Sequence, residues 1–344
     1  MSNLPALPAA GLLILALLAG CASPRLQTPG QAPQSPHLAG DHAVMADGTR
    51  LPLTVWLPEG RPRAVVLALH GFNDYRAAFA ETGRYLADLG YAVYAYDQRG
   101  FGETEQRGLW PGAEVLADDA WALAGLLRVL HADVPLHGFG ESMGGTVLLR
   151  ALARHGTDWL DGVVLVAPAV WGRDRMPWYQ RGGLWLLAHT LPWLELTGRG
   201  LGLRPTDNKE ALRRMREDPL VIKATRVDAL WGMAGLMDGA LSDAAALALP
   251  SLILYGGQDE IIPRTPTCRW LAALPRNGAW RLAVYPDGWH MLTRDLQADR
   301  VHADLAAWLA DPAAPLPSGT DAGTDLGRLC ADTAGSTPQA RNSQ

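Results

Sequence analysis

The stretch Gly140-Glu141-Ser142-Met143-Gly144 sets one serine between two glycines, after the strand-like "VPLHGF" (134–139) and before a helical pattern from Met143 to His155. A serine at such a strand-to-helix turn is held in a strained conformation that exposes its hydroxyl, and only small neighbours leave room for the turn. Gly140 and Gly144 meet that need, and the following helix points its positive end at the hydroxyl. A serine becomes a nucleophile when a base takes its proton, and the base needs an acid to orient it. Asp259 follows directly on the apolar run "SLILYGGQ", and His290 lies in "DGWHML" after the strand-like "WRLAVYP". Glu260 is the fallback acid and Asp287 a weaker one. His302 falls within the last helical pattern, and His131, His137, His155 and His189 match no strand end, so each reads as a packing or surface residue. Negative charge developing on an attacked carbonyl needs two backbone N–H donors. Met143 is one. The loop in "ALHGFND" (68–74) makes Phe72 the other, with the His70 ring expected to hold that loop in shape.

These residues meet only if the intervening elements bring them to one edge. "AVVLAL" (64–69), "YAVYAYD" (91–97), "VPLHGF", "GVVLVAP" (162–168), "SLILYGG" (251–257) and "WRLAVYP" (280–286) are apolar runs separated by helical patterns. That alternation predicts an α/β fold with a mostly parallel sheet and helices on both faces. Ser142, Asp259 and His290 would then share the C-terminal edge of the sheet, where open α/β sheets build their sites. "HAVMADGTRLPLTVWLP" (42–58) reads as a hairpin about Asp47-Gly48. From about 170 to 245 no strand is evident. Trp171, Trp178, Trp185, Trp193 and Trp231 fall there, and Val227, Leu230, Met233, Ala234 and Met237 recur at helical spacing. This predicts an inserted helical unit whose apolar residues pack onto the sheet domain, line a channel, or touch lipid.

Together "HGFND", "YDQRGFGETE", "GESMGG", "GGQDEIIP" and the His290 loop, in this order, resemble the α/β-hydrolase superfamily, within it the monoacylglycerol lipase and lysophospholipase-like branch, which is close to serine aminopeptidases. The resemblance covers about residues 41–312 and implies an α/β-hydrolase fold with a helical cap at about 170–245. It implies a serine ester hydrolase acting on a monoacyl lipid through Ser142, His290 and Asp259, with no metal or organic cofactor. Asp97 and Arg99 are expected to brace the loop beneath the site through a charged hydrogen bond. Glu141 departs from the branch, where histidine often precedes the serine, and brings a negative charge near the site. An aminopeptidase or amidase on the same scaffold, for which Glu141 is the one hint, stays open, as does a surface-tethered binding protein with a vestigial site.

Residues 9–22 are apolar and too short to span a bilayer comfortably, and Leu18-Ala19-Gly20-Cys21 resembles a bacterial lipoprotein box. The expectation is a signal peptide over 1–20, lipidation at Cys21, a flexible tether over 21–40 and a membrane-anchored protein of the bacterial envelope. Met1 to Pro8 lacks the usual lysine or arginine. Residues 313–344 read as a disordered tail. A net charge of −5 without a basic stripe argues against nucleic acid as a partner. With Cys21 there are three cysteines; Cys268 and Cys330 are free to pair, but nothing in the spacing favours it.

Overall fold

The computed structural model describes residues 22–198, 200, 202–276 and 279–330. The chain opens with three antiparallel strands, β1 (His37–Ala39), β2 (His42–Val44) and β3 (Arg50–Trp56). Strand and helix then alternate: β4 (Ala64–Leu69), α1 (Ala80–Asp88), β5 (Tyr91–Tyr96), α2 (Ala113–Leu130), β6 (Leu136–Glu141), α3 (Met143–His155) and β7 (Gly162–Val166). The chain leaves the sheet for a cap of α4 (Trp178–Thr190), β8 (Glu195–Thr197), α5 (Lys209–Glu217), β9 (Ala224–Arg226) and α6 (Val227–Asp243). It returns as β10 (Ser251–Gly256), α7 (Arg264–Ala272), β11 (Trp280–Tyr285), α8 (Ala298–Ala310), β12 (Asp321–Gly323) and α9 (Gly327–Cys330).

Among the described residues the main sheet runs β1-β2-β3-β5-β4-β6-β7-β10-β11-β12, parallel from β5 to β11. Every residue of β4, β5, β6 and β10 is buried, as a parallel sheet covered on both faces requires. The period of two divides β4 between two cores. Val65, Leu67 and Leu69 face α2, α3 and α6, with Leu123, Val147 and Met233, whereas Ala64, Val66 and Ala68 face α1 and α8, with Leu86, Leu305 and Trp308.

Three parts of the structure differ from what the sequence pattern suggests. The cap holds a two-stranded antiparallel ribbon, β8 with β9, whose three-residue strands are too short to show a period. The segment expected as a free tether lies along the domain. Leu26 bridges to Trp110, Gly30 N–H donates to Asp47 Oδ2 at 2.9 Å, and Gln34 N–H donates to the Ala46 carbonyl at 2.9 Å. Its polar backbone finds partners on neighbouring loops, which composition cannot reveal. The expected disordered tail is part of the fold as far as Cys330. There β12 pairs with β11, Leu316 and Leu329 are buried, and a Cys268–Cys330 disulfide ties α9 to α7. A few isolated anchors hold this segment, so it has no periodicity to read. Residues 1–21, with Cys21, and 331–344 lie outside the described residues.

The disulfide joins residues 62 apart in sequence, and closing a loop of this order adds about 2–4 kcal/mol, mainly by restricting the unfolded chain. Cys268→Ala/Cys330→Ala should therefore lower Tm in a non-reducing melt, and excess reductant should lower the wild-type Tm equally. An unchanged Tm in the double variant would show that the bridge adds no stability.

Candidate active site

The turn at Ser142 carries the sharpest local constraint. Ser142 adopts φ 52° and ψ −113°, a region costly for a residue with a Cβ. Its N–H donates to the Val166 carbonyl at 2.8 Å, and its own carbonyl accepts from Gly145, Thr146 and Ala169. The flanking glycines are a steric necessity. A Cβ on Gly144 would lie 2.0 Å from the Leu69 carbonyl oxygen, and one on Gly140 would lie 2.5 Å from Gly145 Cα. Thus α3 sits directly on the ends of β4 and β6, with Ser142 at its N-terminus.

Asp259 and His290 meet, as the sequence order suggests. His290 Nδ1 lies 2.8 Å from Asp259 Oδ2, and both side chains are buried. The other carboxylate oxygen accepts from the N–H groups of Ile261 and Ile262 at 2.8 and 2.9 Å, which fixes its plane. A carboxylate acceptor at Nδ1 places the ring proton there and leaves the Nε2 lone pair free. Glu260, the fallback acid, turns away to accept from Arg204 N–H at 2.7 Å, and Asp287 is exposed.

The loop after β4 lies against the serine: a Cβ on Gly71 would stand 3.4 Å from Ser142 Cβ. Phe72 is held by edge contacts with Phe101 and Trp110, at centroid distances of 5.6 and 6.3 Å. His70 shapes this loop as expected. Its Nδ1–H donates to the Gly71 carbonyl at 2.8 Å, and its Nε2 accepts from Gln98 N–H at 3.0 Å. One partner only accepts and the other only donates, so the ring is neutral, and burial lowers its pKa.

The remaining histidines have structural partners or surroundings. His302 meets the Thr82 hydroxyl, His131 the Tyr94 hydroxyl, His155 Asp118 and His189 the Trp185 carbonyl. His137 packs edge-on against Trp308, and burial lowers its pKa to about 4. Asp97 and Arg99 do brace the loop, but not with each other. Asp97 binds Arg76 and accepts from Glu103 N–H, whereas Arg99 pairs with Asp119 and with Asp47 of the first hairpin. Both residues lie beyond the end of β5, where each is met by a different element: Arg76, after β4, reaches Asp97, whereas α2 and the first hairpin supply the carboxylates for Arg99.

Glu141 is neutralised by a residue that the sequence pattern does not single out. Its Oε1 lies 2.5 Å from Arg294 Nη2, and its Oε2 accepts from the Thr293 hydroxyl at 3.1 Å. Arg294 Nη1 also lies 2.6 Å from Asp74 Oδ2. Burial opposes the guanidinium charge, but the two carboxylates outweigh it and raise its pKa. Arg294 escapes notice in the sequence because nothing local marks it: its partners are 153 and 220 residues away.

Helices α4 and α6 of the cap and α7 line a half-open cavity of about 740 Å³, whose apolar wall includes Val170, Trp178, Trp185, Trp231, Met237 and Leu241 and which Ser142, Phe72 and His290 do not line. Val170 directly follows Ala169, whose N–H is bonded to the Ser142 carbonyl. The helical stripe of α6 therefore divides. Val227, Met233 and Ala234 are buried as packing, and Met237 faces the cavity. Trp178, Trp185 and Trp193 are more than half exposed, so core packing does not account for them.

The profile of the family described as serine aminopeptidase, S33, matches residues 60–297. The chain belongs to that family. It is 27% identical over 297 residues to a monoglyceride lipase of Mus musculus, an alignment spanning 83% of this chain and 96% of the relative. It is 26% identical over 278 residues to a monoacylglycerol lipase of Mycolicibacterium smegmatis, covering 76% and 93%. Among solved structures, a soluble variant of monoglyceride lipase from Saccharomyces cerevisiae, in complex with a substrate analog, matches with a TM-score of 0.67 at 20% identity, covering 85% of this chain and 99% of that one. The fold is accordingly the α/β-hydrolase fold.

An activated serine can be detected by covalent labelling with a fluorophosphonate. Ser142→Ala should abolish labelling, and Asp259→Asn should slow it by about 10⁴-fold by favouring the wrong tautomer of His290. Glu260→Gln should label at the wild-type rate. Fast labelling of Asp259→Asn together with loss in Glu260→Gln would reverse the assignment of the acid.

Proposed function

We propose that the protein is a membrane-anchored serine ester hydrolase of monoacyl lipids, a monoacylglycerol or lysophospholipid. The reaction class rests above all on the buried His290–Asp259 pair, which leaves Nε2 unencumbered on the sheet edge that carries Ser142. The likeness to monoglyceride lipases over most of both chains supports the substrate class. Ser142 Oγ attacks the ester carbonyl while His290 Nε2 takes its proton. The N–H groups of Phe72 and Met143 hold the oxyanion, and Asp259 stabilises the imidazolium. The imidazolium protonates the leaving alcohol. Water, deprotonated by His290, then releases the fatty acid and regenerates the serine. The cavity under the cap offers an apolar wall to the acyl chain.

An aminopeptidase would need a free acidic group for the substrate amine. Glu141 is not free for that, because both its oxygens are engaged by Arg294 and Thr293. A purely binding role gives no use to a buried His290–Asp259 pair whose carboxylate is oriented by two backbone N–H groups.

Lipidation of Cys21 would anchor the chain. The Cys268–Cys330 disulfide suits an oxidising compartment, as the envelope reading requires. The first described residues also favour a short tether: Arg25 N–H donates to Asp228 Oδ2 at 3.3 Å, at the start of α6. Asp228 N–H is bonded to the Pro192 carbonyl, beside the exposed Leu191, Trp193 and Leu194. Four residues reach about 14 Å at most. An anchor at Cys21 would thus hold the cap's apolar face near the bilayer, where tryptophan is favoured.

Each buried substrate methylene contributes about 0.8 kcal/mol, or roughly fourfold in binding. For monoacyl substrates kcat/KM should rise steeply with chain length and level off once the cavity is full. Met237→Gln or Leu241→Gln should flatten that rise and spare acetyl esters. No dependence on chain length, or faster turnover of aminoacyl amides than of esters, would overturn the substrate class. Separately, Cys21→Ser should abolish lipid attachment and move the protein out of the membrane fraction while leaving Ser142 labelling intact. Membrane retention of that variant would count against the anchor.

A further inference from the structure

Three loops must be in register for this reaction: the turn carrying Ser142, the Phe72 loop and the His290 loop. They leave different strands, β6, β4 and β11, and the sheet itself sets only where those strands end. We propose that Arg294 is the positioning residue that locks the three loops together, a role that rests on the hydrolase reading above. One guanidinium bridges Glu141, immediately before Ser142, and Asp74, two residues beyond Phe72. Its own backbone belongs to the turn that follows His290, through the Arg294 N–H bond to the Met291 carbonyl at 2.8 Å. Thr293, fully buried, adds a second bond from this turn to Glu141.

The cap is fastened to the same point. The Arg294 carbonyl accepts from Asn208 Nδ2 at 3.0 Å, and Met291 N–H donates to the Pro205 carbonyl at 2.9 Å. A planar fork can bind two carboxylates at fixed angles, which a single ammonium cannot. Arg294 does not line the 740 Å³ cavity and belongs to a separate one with Asp74, Met215 and Val221, so its loss leaves the acyl wall untouched. The unusual Glu141 thereby gains a purpose: it is the serine turn's handle for Arg294.

Removing the cation altogether would strand two buried carboxylates, so Arg294→Lys is the informative change. The readouts are active-site titration with a fluorophosphonate, the labelling rate constant per titrated site, and kcat and KM on a monoacyl ester. Mispositioning leaves every site titratable but slow, with kcat down about 100-fold and KM within about threefold, as expected for displacements near 1 Å. Glu141→Gln, which keeps the shape but loses the charge, should slow labelling by about 10-fold, and combining it with Arg294→Lys should add little because the two act as one unit. A purely stabilising role predicts instead fewer titratable sites, each reacting at the wild-type rate. That result, or wild-type kcat in folded Arg294→Lys, overturns the proposal. Should Arg294→Lys not fold, Glu141→Gln decides alone, and wild-type labelling at all its sites overturns the proposal. A wild-type protein that does not label at all would refute the serine-hydrolase reading instead.

Discussion

The seating of α3 on the ends of β4 and β6 is the constraint from which the site follows. The helix comes so close that its first turn tolerates no Cβ at Gly144. With Gly140 and Gly144 clearing the way, the chain can reverse at Ser142 only through a left-handed backbone conformation. Such a conformation costs about 1–3 kcal/mol and persists because the surroundings over-determine it. Those surroundings are the Val166 carbonyl on one side and three N–H groups on the serine carbonyl. The strain is therefore stored by the parallel sheet, and with it the exposure of the hydroxyl.

Around that point the structure uses charge where apolar packing cannot give direction. Asp259 is aimed by two backbone N–H groups before it meets His290. Arg99 fastens the loop beneath the site to α2 and to the first hairpin, and Asp119, its buried partner, has its pKa raised to about 6 because burial disfavours its charge despite the arginine. Arg294 joins the turns around the serine. Each of these ions is paired, as burial demands. Removing one partner would thus do more harm than the pair adds in stability.

The cap follows a different logic. Its helix α6 buries one side against α3 and Trp110, while α4 keeps its tryptophans exposed. Arg173 stacks on Trp231 with its guanidinium carbon 4.0 Å from the ring centroid, and Asp238 pairs with it, so the cavity's rim is built from charge and aromatic faces over an apolar wall. Such a lining suits an amphiphile better than a wholly polar or wholly apolar ligand.

The sequence by itself determined the parallel sheet, the serine turn, and the strand ends at which Asp259 and His290 meet. Each of these is encoded locally: buried strands read as continuous apolar runs, the turn needs its two glycines, and Asp259 and His290 directly follow strands that must end on one edge. It also separated His290 from His131, His137, His155 and His189, which match no strand end. What only the tertiary structure decided depends on partners far apart in sequence. The pairing of Cys268 with Cys330, the docking of residues 25–34, and the fold of 313–330 rest on single anchors without period. The partners of Asp97 and Arg99, and the neutralisation of Glu141, depend on side chains that meet only once the sheet has formed. Spacing reports on one element at a time, whereas an ion pair between loops depends on the packing of several.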